Sequence, residues 1–302
     1  MDGITFNVGA PQAANGAELR AVARRAEKLG YTALWAPDHP GAVASPFVLL
    51  AHAAAATTTL RLQTYVLNAG LREPLQLASD VATLDALSDG RFTLGLGAGH
   101  TPAEWEMRGH QRPSPADRIA RMVDVVDATR HLLSGAVVSR SSAHLTLRDA
   151  QLSAPRPVQD PVPLLVGGAN PRVVDFALEH ADVVGLSGLG RTLADGHLHE
   201  TRWGQDELDA LARQLAHRRP DTTIDALVQF VKITDHRDAD AERFAERWTT
   251  STAREVLGCP FVLLGTLDQI AAEMAVHRER FGITSYSVRT AAMEAMAPLI
   301  GD

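Results

Sequence analysis

The sequence predicts a (β/α)8 TIM barrel, an α/β fold in which eight parallel strands alternate with helices. Apolar strand-like segments alternate with amphipathic helix-like segments along most of the 302 residues. Continuous apolar strands are typical of a parallel sheet that is buried on both faces. A hydrophobic content of 45% in a chain of this length is enough for one large barrel or for two ordinary domains, and the repeating pattern favours the barrel. We therefore expect a single domain over residues 1–302, with loop insertions at the C-terminal face of the barrel.

The first four strands and their helices occupy the first half of the chain. The strand segments are, in order, ITFNVG, TALWAP, LRLQTYVLN and RFTLGLG. The helical segments are GAELRAVARRAEKLG, PFVLLAHAAAATT, PLQLASDVATLDALS and PADRIARMVDVVDATRHLL. Gly30 is a C-cap for the first helix, and Pro74 stands at the start of the third. This regular order predicts parallel strands joined by helical crossovers.

The second half of the chain continues the alternation, with two interruptions. The strand segments are PLLVGG, DVVGLS, TIDALVQFVKIT and TSYSVR, and the helical segments are PRVVDFALEHA, GQDELDALARQLAHR and LDQIAAEMAVHRERFG. Residues 135–163 are irregular, rich in proline and expected to contain a small hairpin. Residues 188–204 form a second interruption. Both lie inside the repeating pattern, so we interpret them as loop insertions. Neither carries recognisable chemistry, and the substrate is not specified by the sequence.

Composition argues against several classes of protein. The net charge of −7 and the isoelectric point near 5.9 disfavour nucleic acid and anionic membranes as partners. Cys259 is the only cysteine, which excludes an internal disulfide and a thiolate metal cluster. His197 and His199 have a local spacing that metal ligands also show, but a solvated loop is the favoured interpretation and no metal is expected. The N-terminal segment lacks the pattern of a signal peptide, so we expect a cytoplasmic protein.

The segment GRFTLGLGAGH runs from an apolar strand into closely spaced glycines. A dinucleotide-binding fingerprint would need a third glycine where His100 or Pro102 stands. Its turn also normally follows the first strand of its domain, whereas this one follows the fourth. The sequence therefore argues against a dinucleotide turn. Instead we expect Gly97 and Gly99 on the C-terminal rim of the barrel, where such folds carry their chemistry and where glycines bring the backbone close to a ligand such as a coenzyme.

Four long segments resemble the luciferase-like monooxygenase superfamily. They are GYTALWAPDH, the block from Tyr65 to Glu104, PLLVGGANPRVVDFALEHADVVGL and LLGTLDQIAAEMAVHRERFGI. The TYVLN opening of the longest block is similar to the coenzyme F420-dependent oxidoreductase branch. The resemblance implies a TIM barrel, usually a homodimer, that holds the deazaflavin F420 and transfers hydride to or from a small organic substrate. Two alternatives stay open: an FMN-dependent monooxygenase and a non-catalytic coenzyme-binding barrel.

Three acid–base residues follow predicted strands. Asp38 and His39 form a carboxylate and imidazole pair suited to proton transfer, although such a pair is often only a capped turn. The resemblance implies that Asp38 lies near the coenzyme ring and that His39 is a proton donor or a substrate contact. Glu104 matches an acidic residue that faces the coenzyme in similar proteins; the alternative is that it complements a helix dipole.

The resemblance also implies a set of coenzyme contacts. Thr64 and Tyr65 would be joined by a cis peptide bond in a strand bulge behind the coenzyme ring, with Asn68 on the same rim. His100 stands where relatives often have an aromatic residue, so it is expected to stack on the ring or to form a hydrogen bond with it.

The segment VGGANPR supplies the predicted phosphate site. Gly167, Gly168 and Ala169 follow a strand and precede a helix that begins with a proline. Backbone N–H groups and the positive end of a helix can hold a phosphate, although a tight turn between strand and helix explains the same residues. The family often has a longer glycine run here.

Overall fold

The computed structural model describes residues 3–12, 15–192, 199–247 and 251–301. The strands, in chain order, are β1 Thr5–Gly9, β2 Ala33–Ala36, β3 Arg61–Thr64, β4 Leu67–Asn68, β5 Phe92–Gly97, β6 Val138–Ser141, β7 Thr146–Ala150, β8 Leu164–Gly167, β9 Val183–Leu186, β10 Leu189–Thr192, β11 His199–Thr201, β12 Thr223–Leu227, β13 Phe230–Ile233, β14 Val262–Gly265 and β15 Ile283–Val288. The α-helices are α1 Gly16–Lys28, α2 Pro46–Ala54, α3 Pro74–Leu87, α4 Pro102–Glu106, α5 Pro115–Leu133, α6 Pro171–His180, α7 Gln205–Leu215, α8 Arg237–Arg247, α9 Ala253–Gly258, α10 Leu267–Phe281 and α11 Met293–Met296.

The predicted fold class is confirmed: the protein is a closed barrel of eight parallel strands with flanking helices. Strands β3 and β4 both pair with β5 and together form one of the eight barrel strands, which is interrupted at residues 65–66. Contacts along the chain divide it into two compact units. The first unit comprises Ala10–Glu27 and Ala33–Gly167, and the second comprises Met1–Gly9, Lys28–Thr32 and Gly168–Asp302. The expectation of a single domain over residues 1–302 stays a prediction.

The first unit is built on the parallel strands β2, β3, β5 and β8, with β4 beside β5. Arg91, just before β5, ties their N-terminal ends to α2. Its guanidinium donates five hydrogen bonds, to Oγ1 and the carbonyl of Thr57 and to the carbonyls of Ala54, Leu60 and Ser88. A cation that satisfies this many buried acceptors fixes the loop before β3, and so the end of the barrel opposite the predicted rim.

The second unit is built on the parallel strands β1, β15, β12 and β9. Asp225 on β12 is buried, and its Oδ2 accepts hydrogen bonds from Asn7, Ser285 and Ser287 at 3.0, 2.6 and 3.0 Å. These donors satisfy a carboxylate oxygen that burial would otherwise destabilise. This part of the sheet is therefore held by polar as well as apolar contacts.

The predicted seventh strand is wrong in its extent. TIDALVQFVKIT is two strands, because β12 ends at Leu227 and β13 pairs in parallel with β14 instead. The Val228 N–H still donates to Ser287, at 2.9 Å, whereas the Gln229 N–H donates to Phe261, at 2.8 Å. The chain therefore exchanges one neighbouring strand for another between these two residues. The apolar pattern is continuous across that exchange and does not reveal it.

Both predicted insertions contain antiparallel hairpins in their described parts. Strands β6 and β7 form one in residues 135–163, as expected, and β10 and β11 form another in residues 188–204. Asp85 anchors the first insertion by accepting from the N–H groups of Val158 and Gln159, at 2.7 and 2.9 Å. His197 lies outside the described residues. His199 is described, and its Nδ1 lies 3.4 Å from the Gly190 carbonyl oxygen.

The described residues contain neither a membrane-spanning helix nor a group of side chains placed to bind a metal ion. None of the helices in residues 3–12, 15–192, 199–247 and 251–301 combines the length and apolarity needed to cross a bilayer. Within the same ranges, no group of three or more His, Cys, Asp or Glu side chains is placed to hold a metal ion. Cys259 is buried, and burial raises the pKa of its thiol to about 12, so it is packed as a small apolar residue.

A buried histidine predicts how stability depends on pH. Burial lowers the pKa of His277 on α10 to about 4, and the charge of Arg280 adds to this effect; the Nδ1 of His277 lies 3.2 Å from the Tyr286 hydroxyl. Because the pKa is lower in the folded state than the usual value of about 6.5, unfolding takes up a proton below pH 6.5. We expect stability to fall by about 3 kcal/mol from this group between pH 7 and pH 4, as measured by urea unfolding.

His277→Gln is the matched control for this pH dependence, because glutamine is polar but does not titrate. The variant should lose most of the difference in unfolding free energy between pH 7 and pH 4 that the parent protein shows. An equal difference in both proteins would mean that other groups cause the pH dependence.

Candidate active site

Four of the predicted site residues form one hydrogen-bonded cluster in the first unit. Asp38 and His39 lie two and three residues after β2, Asn68 ends β4, and Glu104 lies in the first turn of α4. His39 Nδ1 lies 2.6 Å from Glu104 Oε1, and Asn68 Nδ2 donates to Glu104 Oε2 at 2.7 Å. These are the C-terminal ends of parallel strands, the place where barrel enzymes carry their chemistry.

Glu104 is the buried member of the pair that it forms with His39. It is 4% exposed, whereas the His39 side chain is 38% exposed. Burial raises the pKa of Glu104, but hydrogen bonds from His39 and Asn68 and the charge of His39 outweigh burial, so the net pKa lies below its usual value. Glu104 is therefore a carboxylate at neutral pH, and His39 is the member of the pair that a ligand reaches.

Asp38 is engaged by an ion pair. Arg72 Nη2 donates to Asp38 Oδ1 at 2.6 Å and Arg72 Nε donates to Oδ2 at 3.1 Å, a two-point contact with a carboxylate that is 2% exposed. The backbone N–H of Asn68 also donates to Asp38 Oδ2, at 3.2 Å. Asp38 thus joins the end of β2 to the end of β4, which fixes the positions of His39 and Asn68.

His100 lies beside the pair. Its ring meets the ring of His39 edge to face, with the centroids 5.4 Å apart, and its carbonyl accepts from Arg112 Nη1. His100 is exposed. Its predicted contact with a coenzyme ring stays a prediction, and its observed neighbour is the imidazole of His39.

The glycines of GRFTLGLGAGH make room for other parts of the chain. A Cβ on Gly95 would lie 1.8 Å from the Thr64 carbonyl oxygen, and one on Gly97 would lie 2.7 Å from Val66 Cγ2. Gly99 has a φ of 75°, and a Cβ there would lie 2.1 Å from Asn68 Oδ1. These glycines let β5 and the segment after it approach the interrupted strand β3–β4, which carries Asn68. Their predicted contact with a coenzyme stays a prediction.

The predicted position of the cis peptide bond is wrong by one residue. The non-proline cis bond joins Tyr65 to Val66, not Thr64 to Tyr65. The hydrogen bonds of the sheet extend as far as Tyr65. The Tyr65 N–H donates to the Ala36 carbonyl at 2.8 Å, and Thr64 Oγ1 donates to the Gly95 carbonyl at 3.0 Å, so the cis bond follows the last residue that the sheet holds. The side chains of Thr64 and Tyr65 are buried, and Tyr65 packs edge-on against Trp35.

The predicted phosphate turn begins at Gly167, the last residue of β8, and precedes α6. The Gly168 N–H donates to the Gly185 carbonyl at 3.1 Å, so it belongs to the sheet, and a Cβ on Gly168 would lie 3.0 Å from Val173 Cγ1. Asn170 caps α6 by accepting from the Arg172 N–H. The predicted phosphate contacts of Gly167, Gly168 and Ala169 stay predictions.

Two arginines at these sites were not singled out by the sequence. Arg72 pairs with Asp38, and Arg202 Nη1 donates to the Ala169 carbonyl at 2.7 Å. Arg202 belongs to the insertion over residues 188–204, whose sequence has no recognisable motif. Long side chains reach across several residues, so nothing in the local sequence marks their partners. The only signal for Arg72 was its place between two segments of the predicted rim.

The chain belongs to the luciferase-like monooxygenase family, which matches residues 4–295. An F420-dependent glucose-6-phosphate dehydrogenase of Kineococcus radiotolerans is 29% identical over 287 residues, which cover 90% of this chain and 81% of that protein. A 4-hydroxyprotoasukamycin monooxygenase of Streptomyces nodosus subsp. asukaensis is 34% identical over 148 residues, 47% of this chain and 39% of that protein. This chain thus matches less than half of the monooxygenase.

Solved structures of both kinds share the fold. The coenzyme F420-dependent tetrahydromethanopterin reductase of Methanopyrus kandleri has a TM-score of 0.73 at 19% identity, with 99% of each chain covered. A monooxygenase of Streptomyces bottropensis also has a TM-score of 0.73, at 20% identity, with 98% of each chain covered. At these identities the likeness shows the fold alone.

Proposed function

We propose that the protein is a coenzyme F420-dependent oxidoreductase that transfers hydride to or from a small organic substrate. The observation that carries the proposal is the 2.6 Å contact between the partly exposed His39 and the buried Glu104 at the strand ends. Transfer of a hydride to or from a C–O carbon is accompanied by transfer of a proton at the oxygen. An imidazole oriented by a carboxylate is suited to carry that proton.

The residues present fit such a coenzyme. When bound, F420 supplies a ring carbon that accepts or gives up hydride. The chain supplies an imidazole to hold or release the proton, and Asp38 with Arg72 to fix the strand ends that carry it. Ala169, with the N-terminus of α6, supplies donors suited to a phosphate group of the coenzyme. In the oxidative direction the hydride of the substrate C–H bond would go to that ring carbon, His39 would take the hydroxyl proton, and the substrate would be left with a C=O bond.

A relative that matches 90% of this chain is named as an F420-dependent enzyme. This supports F420 over FMN, and the family membership favours a homodimer. The test of the coenzyme is direct binding: purified apoprotein is titrated separately with F420 and with FMN. We expect F420 to bind more tightly. Selective tight binding of FMN would overturn the proposal in favour of a flavin-dependent monooxygenase.

A further inference from the structure

We propose that Asn68 is a positioning residue that sets which nitrogen of His39 carries the proton, by holding Glu104 as a hydrogen-bond acceptor. The inference rests on the proposed function only in its claim that His39 exchanges a proton with a substrate. Its geometric basis is the chain of contacts from Gly70 through Asn68 and Glu104 to His39.

The orientation of the Asn68 amide is fixed by the backbone. The Gly70 N–H donates to Asn68 Oδ1 at 3.0 Å, so the opposite end of the amide, Nδ2, faces Glu104. A flipped amide would turn its NH2 group toward the Gly70 N–H, which is another donor. The approach of Gly99 to the Asn68 side chain leaves no room for a Cβ, so the side chain is also packed in place.

This orientation determines what Glu104 can do. The NH2 group of Asn68 faces Oε2 of Glu104. That oxygen must therefore accept a hydrogen bond, and a proton on it that pointed toward Asn68 would meet another donor. The remaining oxygen, Oε1, faces His39 Nδ1 at 2.6 Å. A protonated Glu104 could still donate from Oε1 to Nδ1, so the position of the hydrogen atom depends on whether Glu104 is ionised. The hydrogen bond that Asn68 donates at 2.7 Å, with the one from His39, stabilises the ionised form against burial and holds the pKa of Glu104 below its usual value. With Glu104 ionised, the hydrogen atom between the two side chains belongs to Nδ1 of His39.

The consequence is a single tautomer of the neutral imidazole. With the proton on Nδ1, the lone pair is on Nε2, so Nε2 is the atom that takes a proton from a substrate or, once protonated, returns it. The other tautomer, with the proton on Nε2, would present an N–H to a substrate hydroxyl group that has to give up its own proton.

Asn68 also has a local structural role, because its side chain caps the short 3-10 turn over Ala69–Leu71. Asn68→Ser separates the two roles. A serine hydroxyl can accept from the Gly70 N–H and keep the cap, but it is too short to donate to Glu104. Asn15→Ser is the matched control, since Asn15 caps α1 by accepting from the Ala17 and Glu18 N–H groups, both at 3.0 Å.

The primary measurement is ¹⁵N NMR of histidine-labelled apoprotein, with the His39 signals assigned by their absence from His39→Gln. We expect the Nδ1–H tautomer in the parent protein and in Asn15→Ser. Asn68→Ser should show a mixture of both tautomers, with a drop in kcat of about tenfold and little change in KM for any substrate that reacts. An Nε2–H tautomer in the parent protein, or an unchanged tautomer in a folded Asn68→Ser, would overturn the inference.

The NMR measurement needs no coenzyme, so it separates this inference from the proposed function. Selective binding of FMN together with the Nδ1–H tautomer would contradict the F420 proposal and support the role of Asn68. Binding of F420 together with the Nε2–H tautomer would support the F420 proposal and contradict the role of Asn68.

Discussion

His39→Ala is expected to lower the single-turnover rate about a hundredfold to ten-thousandfold and to leave coenzyme affinity nearly unchanged. The imidazole acts on the proton that moves during the reaction, so its loss raises the barrier and removes little ground-state binding. Glu104→Gln should lower the rate in the same direction, since an amide cannot accept hydrogen bonds at both positions from His39 and Asn68. The measurements are coenzyme affinity by titration and single-turnover rate with any substrate found to react.

His131→Ala is the control for these variants, because His131 is an exposed histidine in the last turn of α5. It should retain the rate of the parent protein. Full activity in both His39→Ala and Glu104→Gln would show that the proton transfer is carried out elsewhere in the protein.

Gly95→Ala is expected to destabilise the protein by about 3 kcal/mol or more. A Cβ at this position would lie 1.8 Å from the Thr64 carbonyl oxygen and 2.9 Å from its carbonyl carbon. These are backbone atoms inside the sheet, so the clash is relieved only if β3 or β5 moves. The measurement is the free energy of unfolding in urea, or the amount of soluble protein if the variant does not fold.

Gly258→Ala is the matched control, because a Cβ on Gly258 would have no atom within 4 Å and this glycine ends helix α9. It should be neutral or slightly stabilising. If Gly95→Ala were as stable as Gly258→Ala, the close approach of β5 to the interrupted strand would not be needed for folding.

The barrel was predictable from the sequence because each strand and helix leaves its own periodic pattern. Helix α5 occupies the predicted segment from Pro115 to Leu133, with Ser114 as its N-cap. The extent of β12 was not predictable, because the exchange of its neighbour at Gln229 depends on a distant strand. Apolar residues continue from the buried β12 into β13, where Phe230 and Ile233 are exposed, so the apolar pattern does not mark the exchange.

The candidate site was predicted as separate residues, not as a network. His39, Asn68 and Glu104 were each expected on the rim, but the sequence did not show that Asn68 and His39 bind opposite oxygens of Glu104. The glycines were expected to bring the backbone close to a ligand, whereas Gly95 accommodates the backbone of Thr64. A glycine pattern shows that space is needed, and only the three-dimensional structure shows what occupies it.

The most direct test of the proposed hydride transfer is an anaerobic single-turnover experiment with oxidised F420. The protein is mixed with a panel of small alcohols and sugar phosphates, and the absorbance of the coenzyme is followed with oxygen excluded. The account predicts that at least one substrate reduces F420 without oxygen, and that His39→Ala is slower by about a hundredfold or more with that substrate. A reaction that occurs only with reduced FMN and oxygen would contradict it.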